Sequence, residues 1–209
     1  MKRGTIQAHC TFLTLEELDE LVANQTAVAH CPLSNVYFSE KPFPLREALD
    51  KGVLVGLGTD VAGGYSIDIL NSMRHAVATS RVREGARALE SGSRDATGGE
   101  VRSLAVEWKE SLFLATRGGA LALGLENCGE FRVGASLDAQ QSKCVVGSCA
   151  METECGLVSV FDWERQAGVG ALDFFDLDSG LTMDMIEKWW CMGDARNRVR
   201  MWVQGRQLV

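Results

Sequence analysis

No uncharged apolar run in this chain of 209 residues approaches the ~20 residues that a membrane-spanning helix needs, so no membrane association is expected. The opening Met1-Lys2-Arg3-Gly4 passes straight into a short strand pattern. It lacks the apolar stretch of a secretory signal, and a cytoplasmic location is expected. An excess of basic residues is missing too: 21 Lys and Arg stand against 28 Asp and Glu, a net charge of −7. That balance argues against a nucleic-acid partner, whose binding surface usually carries a basic stripe. The one basic stretch, Arg81, Arg83, Arg87 and Arg94, is interrupted by Glu84, Glu90 and Asp95 and reads as a solvated loop. The cysteines number seven, an odd count, with no C-x-x-C pair. Cys144, Cys149 and Cys155 lie closest together, at spacings unlike those of zinc knuckles. Reduced thiols are therefore expected. Histidine is scarce, three in all. Disorder is not expected, because 46% of the residues are apolar and 23% charged, an ordinary balance for a globular chain.

The first 80 residues carry a repeated strand–helix pattern. A short strand over 4–8 ends at His9. Thr14 then opens a helix, with Glu17 in the capping-box position and Leu15, Leu18, Leu21 and Val22 on one face. A second apolar run over 26–29 ends at His30. Pro42 and Pro44 punctuate a loop, and 45–51 form a short helix closed by Gly52. Val53, Leu54, Val55 and Leu57 make a continuous apolar run that ends at Thr59-Asp60, as in parallel strands buried on both faces. A helix is expected over 67–82, a loop over 84–102, a helix over 104–116, a tight connection at Arg117-Gly118-Gly119 and a helical turn over 120–123. From Gly129 the alternation Gly-Glu-Phe-Arg-Val-Gly suggests strands of a smaller unit. Val199, Met201 and Val203 alternate as a final strand would, and residues 140–157 have no clear period. The pattern fits part of a β/α barrel or a doubly wound sheet, and periodicity does not separate the two.

Each of the first three strands delivers a polar side chain at its C-terminal end: His9, His30 and Asp60. In β/α barrels the chemistry sits at that end. Imidazole and carboxylate are suitable zinc ligands, and a zinc-activated water is a nucleophile near neutral pH. Taken singly, each residue has a structural alternative: a hydrogen-bonded histidine after a strand, or an aspartate capping a turn. Their common placement favours chemistry. His75, in the middle of a helix, is given a structural role.

Three blocks then resemble the guanine deaminases of the metal-dependent amidohydrolase superfamily. They are Ala8-His9-Cys10 with Leu13 and Glu17; Ala29-His30-Cys31-Pro32-Leu33-Ser34-Asn35; and Gly56-Leu57-Gly58-Thr59-Asp60-Val61-Ala62-Gly63-Gly64-Tyr65-Ser66. The last is the most specific. Leu114-Ala115-Thr116-Arg117-Gly118-Gly119-Ala120, Gly129-Glu130-Phe131 and the tail from Met185 to Arg206 extend the likeness.

The resemblance implies an α/β fold: the C-terminal part of a (β/α)8 TIM-type barrel over 1–125, then remnants of a small β-domain with a terminal helix and strand over 126–209. It implies hydrolytic deamination of guanine to xanthine and ammonia, with one Zn2+ per site. His9 and Asp60 would be metal ligands. Asp60 would also take a proton from the attacking water, and His30 would stabilise the transition state. His9, Phe12 and Asp60 would face the purine, although loop packing explains Phe12 equally well. The family's H-x-H pair of zinc ligands and its proton-shuttling glutamate have no counterpart in this sequence. A truncated form, nearly inactive alone and weak in zinc binding, is therefore expected. Two alternatives stay open. One is a deaminase of another aminated heterocycle, such as an adenosine-type or triazine compound. The other is a non-catalytic paralogue that pairs with a full-length subunit. A homodimer is the family's common state.

Overall fold

The computed structural model describes residues 2–90, 102–143, 159–162 and 182–208. It divides into two compact units, Met1–Gly124 and Leu125–Val209.

The first unit is built on a parallel sheet of three strands in the order β1-β2-β3: Ile6–Ala8, Ala27–His30 and Val55–Leu57. Register is direct, with Ala8 opposite Ala29 and His30 opposite Leu57. The strands therefore end at nearly the same level. After β1 comes helix α1 (Leu15–Ala23), started by the expected capping box: Thr14 accepts from the Glu17 backbone N–H, and the Glu17 carboxylate accepts from Thr14 N–H at 2.8 Å. Leu18 and Leu21 turn inward from it. After β2 come α2 (Pro32–Phe38) and α3 (Leu45–Lys51), the latter closed by Gly52 at φ 86°. After β3 comes α4 (Ile69–Glu90), which buries Leu70, Met73, Ala76, Val77 and Ser80 at helical spacing. Helices α5 (Trp108–Ala115) and α6 (Arg117–Ala122) complete the unit. The core lies between sheet and helices, where Leu18, Leu21, Val28, Phe43, Leu45, Val55, Ala76, Val106 and Leu114 form one buried cluster.

Several expectations for this unit are corrected by the structure. Helix α2 stands in a segment to which the sequence reading assigned no element; Pro32 occupies its first turn, where a fixed φ and a missing N–H cost nothing. Residues 84–90 continue α4 instead of opening a loop. The arginines of α4 form ion pairs: Arg83 with Glu47 at 2.6 Å, Arg87 with Glu84 at 2.8 Å and, at the exposed surface, Arg81 with Glu107 at 3.3 Å. Helix α5 begins only at Trp108, because the preceding segment is tied to α4 in extended form. Leu104 N–H donates to Glu84 and Val106 N–H to Ser80 Oγ. Finally, Gly118 and Gly119 lie inside α6 and make no turn. A Cβ on Gly118 would lie 2.9 Å from the Val55 carbonyl, and one on Gly56 would lie 3.0 Å from the Gly119 Cα. These glycines let α6 touch β3 backbone to backbone.

The second unit holds a four-stranded sheet in the order β5-β4-β6-β7: Ser159–Asp162, Ala139–Lys143, Arg198–Val203 and Arg206–Gln207. Strand β4 pairs parallel to β5 and antiparallel to β6. The strand expected from Gly129 is replaced by turns, because Gly129 and Gly134 take φ of 77° and 88° and break the extended run. The first strand starts at Ala139. Helix α7 (Met183–Met192) buries Met185, Ile186, Trp189 and Trp190, and the expected final strand is β6. Arg94, Cys144, Cys149 and Cys155 lie outside the described residues. The cysteines within them, Cys10, Cys31, Cys128 and Cys191, form no disulfide among the described residues.

Candidate active site

Parallel pairing brings the three strand ends together, and the backbone then turns outward. His9 follows β1 at φ 68°, with its N–H donating to the Ala29 carbonyl at 3.0 Å, and Cys10 takes φ 53°. His30 closes β2, and its carbonyl accepts from Gly58 N–H at 2.9 Å. Asp60 lies three residues past β3 at φ 51°. Left-handed backbone at non-glycine residues is uncommon and carries a cost. Here it occurs at two of the three residues singled out in the sequence and re-aims their side chains off the strand direction.

The side chains form a connected set. His9 Nε2 lies 3.9 Å from Asp60 Oδ2, with the two side chains 43% and 37% exposed. His9 Nδ1 donates to the Oδ1 of Asn35 at 2.8 Å. The same amide donates through Nδ2 to His30 Nδ1 at 3.3 Å. His30 is buried and stacks at a tilt on Phe43, with ring centroids 5.1 Å apart. Burial, with smaller contributions from His75 and His9, pushes its pKa down to about 3. The His30 imidazole is thus uncharged at neutral pH. His9 and Asp60 stand at an open mouth, and His30 lies beneath it.

The loop after β3 is shaped around the carboxylate. The Asp60 carbonyl accepts from Gly64 N–H, and a Cβ on Gly63 would fall 2.7 Å from Asp60 Oδ2. Glycine at 63 is therefore required if the carboxylate is to keep its place. Burial, with the Asp60 carboxylate nearby, raises the Cys31 thiol to about 11, so Cys31 stays protonated and inert.

The donor set suits a cation. Zinc bonds to imidazole nitrogen at about 2.0–2.1 Å and to carboxylate oxygen at about 2.0–2.2 Å. Those lengths together slightly exceed the 3.9 Å between His9 Nε2 and Asp60 Oδ2, so one ion reaches both. With Nδ1 committed to Asn35, Nε2 of His9 is the nitrogen left to coordinate. A catalytic zinc ordinarily has three protein ligands. Among the described residues no group of three or more His, Cys, Asp or Glu side chains is placed to hold a metal.

Phe12 and His75, also noted in the sequence, make other contacts. Phe12 is 68% exposed, with Lys41 Nζ 5.1 Å from its ring centre. It borders a cavity of about 550 Å³ together with Gln7, Cys10, Thr11, Leu13 and Glu17; none of His9, His30 and Asp60 lines that cavity. His75, on α4, meets the Tyr65 ring edge-on at 6.3 Å, and partial burial lowers its pKa. Asn35 is the residue the sequence reading passed over. Its signal was an amide side chain one short helical turn beyond His30, in a segment otherwise apolar enough to be buried.

The profile of the amidohydrolase family matches residues 2–141, and the chain belongs to that family. Several guanine deaminases are among its relatives. It is 33% identical over 203 residues to the probable guanine deaminase of Schizosaccharomyces pombe, covering 97% of this chain and 32% of that protein. The chain thus spans about a third of the length of its relative, and the match falls in the C-terminal portion. Among solved structures, the guanine deaminase of C. acetobutylicum with guanine bound in its active site superposes with a TM-score of 0.70, at 22% identity, over 98% of this chain and 39% of that one. The atrazine chlorohydrolase of Arthrobacter aurescens, complexed with zinc, gives a TM-score of 0.58 at 20% identity, over 99% and 37%. At those identities the structural likeness establishes a shared fold. Among the described residues no sheet closes into a barrel, and no helix is long and apolar enough to cross a membrane.

Proposed function

We propose that this chain is the C-terminal part of a zinc-dependent guanine deaminase. On this reading β1 to β3 and their helices, within residues 1–125, are the last portion of a (β/α)8 barrel. Residues 126–209 supply part of a small β-domain. The observation that carries the proposal is the approach of His9 Nε2 to Asp60 Oδ2, with His9 fixed from behind by Asn35. The 33% identity to a guanine deaminase directs the choice of substrate.

The reaction consumes guanine and one water, and releases xanthine and ammonia. A zinc ion, when bound, supplies the Lewis acidity that makes water a nucleophile near neutral pH. His9 and Asp60 are the ligands this chain provides. Asp60 also accepts the proton of the attacking water and passes it toward the departing amine, a role suited to a carboxylate at an open mouth. His30, held uncharged by burial, offers an N–H to the oxygen as charge develops there, so its help is greatest in the transition state. Phe12 is proposed at the edge of the purine, where its exposed face is available for stacking. The absence of CxxC pairs agrees with a cytoplasmic setting.

With two ligands from this chain, zinc is held weakly and turnover by the chain alone is expected to be negligible. The test is ammonia release and xanthine formation from guanine, measured for the chain alone and for the chain joined to the N-terminal portion of a full-length guanine deaminase. The joined protein is expected to deaminate guanine in a zinc-dependent manner, and Asp60→Asn or His30→Ala to lower kcat by about a hundredfold or more, the scale of losing one transition-state donor. Turnover by the chain alone near that of a complete enzyme contradicts the incomplete site. A joined protein that hydrolyses triazines or adenosine but not guanine contradicts the substrate.

A further inference from the structure

We infer that Asn35 sets opposite tautomers on the two histidines, acting as a positioning residue that makes His9 a ligand and His30 a donor. The inference rests on the reading of His9 as a metal ligand, and its geometry stands apart from the choice of substrate. Asn35 is 1% exposed, and both ends of its amide are used inside the protein. Oδ1 has only lone pairs to offer, so the His9 nitrogen at 2.8 Å must carry a proton. That leaves the lone pair of His9 on Nε2, the nitrogen 3.9 Å from Asp60. Nδ2 has only N–H groups to offer, so His30 Nδ1 at 3.3 Å must present its lone pair. The single ring proton of neutral His30 then sits on Nε2.

A carbonyl or carboxylate behind a metal-binding histidine commonly fixes its tautomer. Here one amide does so for two histidines with opposite results. The reason is chemical: an amide carries a fixed acceptor at one end and a fixed donor at the other. Helix α2 makes this possible. Asn35 lies in the four residues after Pro32 starts the helix, and its N–H bonds to the Cys31 carbonyl at 2.9 Å. The backbone that carries Asn35 is thereby locked to the end of β2, directly after His30. A substitution there acts on β1 and β2 together.

The test uses the whole chain with 15N-labelled histidine and no metal. Its three histidines give a simple spectrum, in which protonated and bare ring nitrogens are distinct. The wild-type chain is expected to show the proton on Nδ1 of His9 and on Nε2 of His30, with His75 as an internal control. Asn35→Asp keeps the acceptor toward His9 and removes the donor toward His30. His9 should hold its pattern while that of His30 changes. Asn35→Leu removes both partners, and both histidines should move toward a mixture of tautomers. A bare Nδ1 on His9 in the wild-type chain overturns the inference even if neither variant folds. So does an unchanged pair of patterns in a folded Asn35→Leu protein. Adding zinc to the wild-type chain is a separate arm: a shift confined to His9 Nε2 supports its role as ligand. If zinc perturbs His75 instead, the metal reading fails while the tautomer result is unaffected.

Discussion

His30 shows how burial converts an ordinary side chain into a specialised one. An exposed imidazole takes up a proton near pH 6.5, whereas the buried His30 holds out to about 3. Between those values the unfolded chain binds a proton that the folded chain refuses, so stability falls as the pH falls. The contribution is fully present above pH 6.5 and is lost progressively toward pH 3. Relative to His30→Asn, wild-type protein should lose up to about 1.4 kcal/mol of stability per pH unit across that window, read from urea midpoints at a series of pH values. The His30 ring signals should not titrate between pH 7 and 5; a midpoint near 6.5 would refute the burial argument. At this scale the sequence revealed the three strand-end residues, because each follows a short strand pattern with a polar stop. It did not reveal what Asn35 does. The two partners of its amide sit 26 and 5 positions away on different strands, and no local pattern encodes that meeting. Phe12 borders a cavity with Thr11 and Leu13 just past the turn at Cys10, and its spacing from His9 alone did not disclose that.

Among the elements, local rules performed well where one residue settles the conformation and poorly where a glycine admits several. The capping box at Thr14 and the left-handed Gly52 were readable because their chemistry is contained within four residues. Thr14→Ala removes the side-chain acceptor for the Glu17 N–H and is expected to cost about 1 kcal/mol. A urea midpoint unchanged within error would show that α1 is held by Leu18 and Leu21 alone. Gly118-Gly119 was misread as a turn, since its purpose is to let α6 approach β3, which only the tertiary fold discloses. The run from Gly129 was misread for a related reason. Alternation favoured a strand, but two left-handed glycines made turns of it. The charged end of α4 resembled a loop by composition, whereas its arginines pair with carboxylates on α3, on α4 itself and before α5.

At the scale of the whole molecule, three parallel strands place three remote positions at one edge, and that placement is what the family membership would predict of an amidohydrolase. The α/β character follows from sequence texture. Barrel closure and the remaining ligands do not, since they need strands beyond the three observed here. The central claim is that His9 and Asp60 share one divalent cation. Crystals of the zinc-loaded chain, with data collected at the zinc absorption edge, test it most directly. The account predicts an anomalous peak about 2.0–2.2 Å from both His9 Nε2 and an Asp60 carboxylate oxygen. A peak on cysteine sulfur or on His75, with His9 and Asp60 both free of metal, would contradict it.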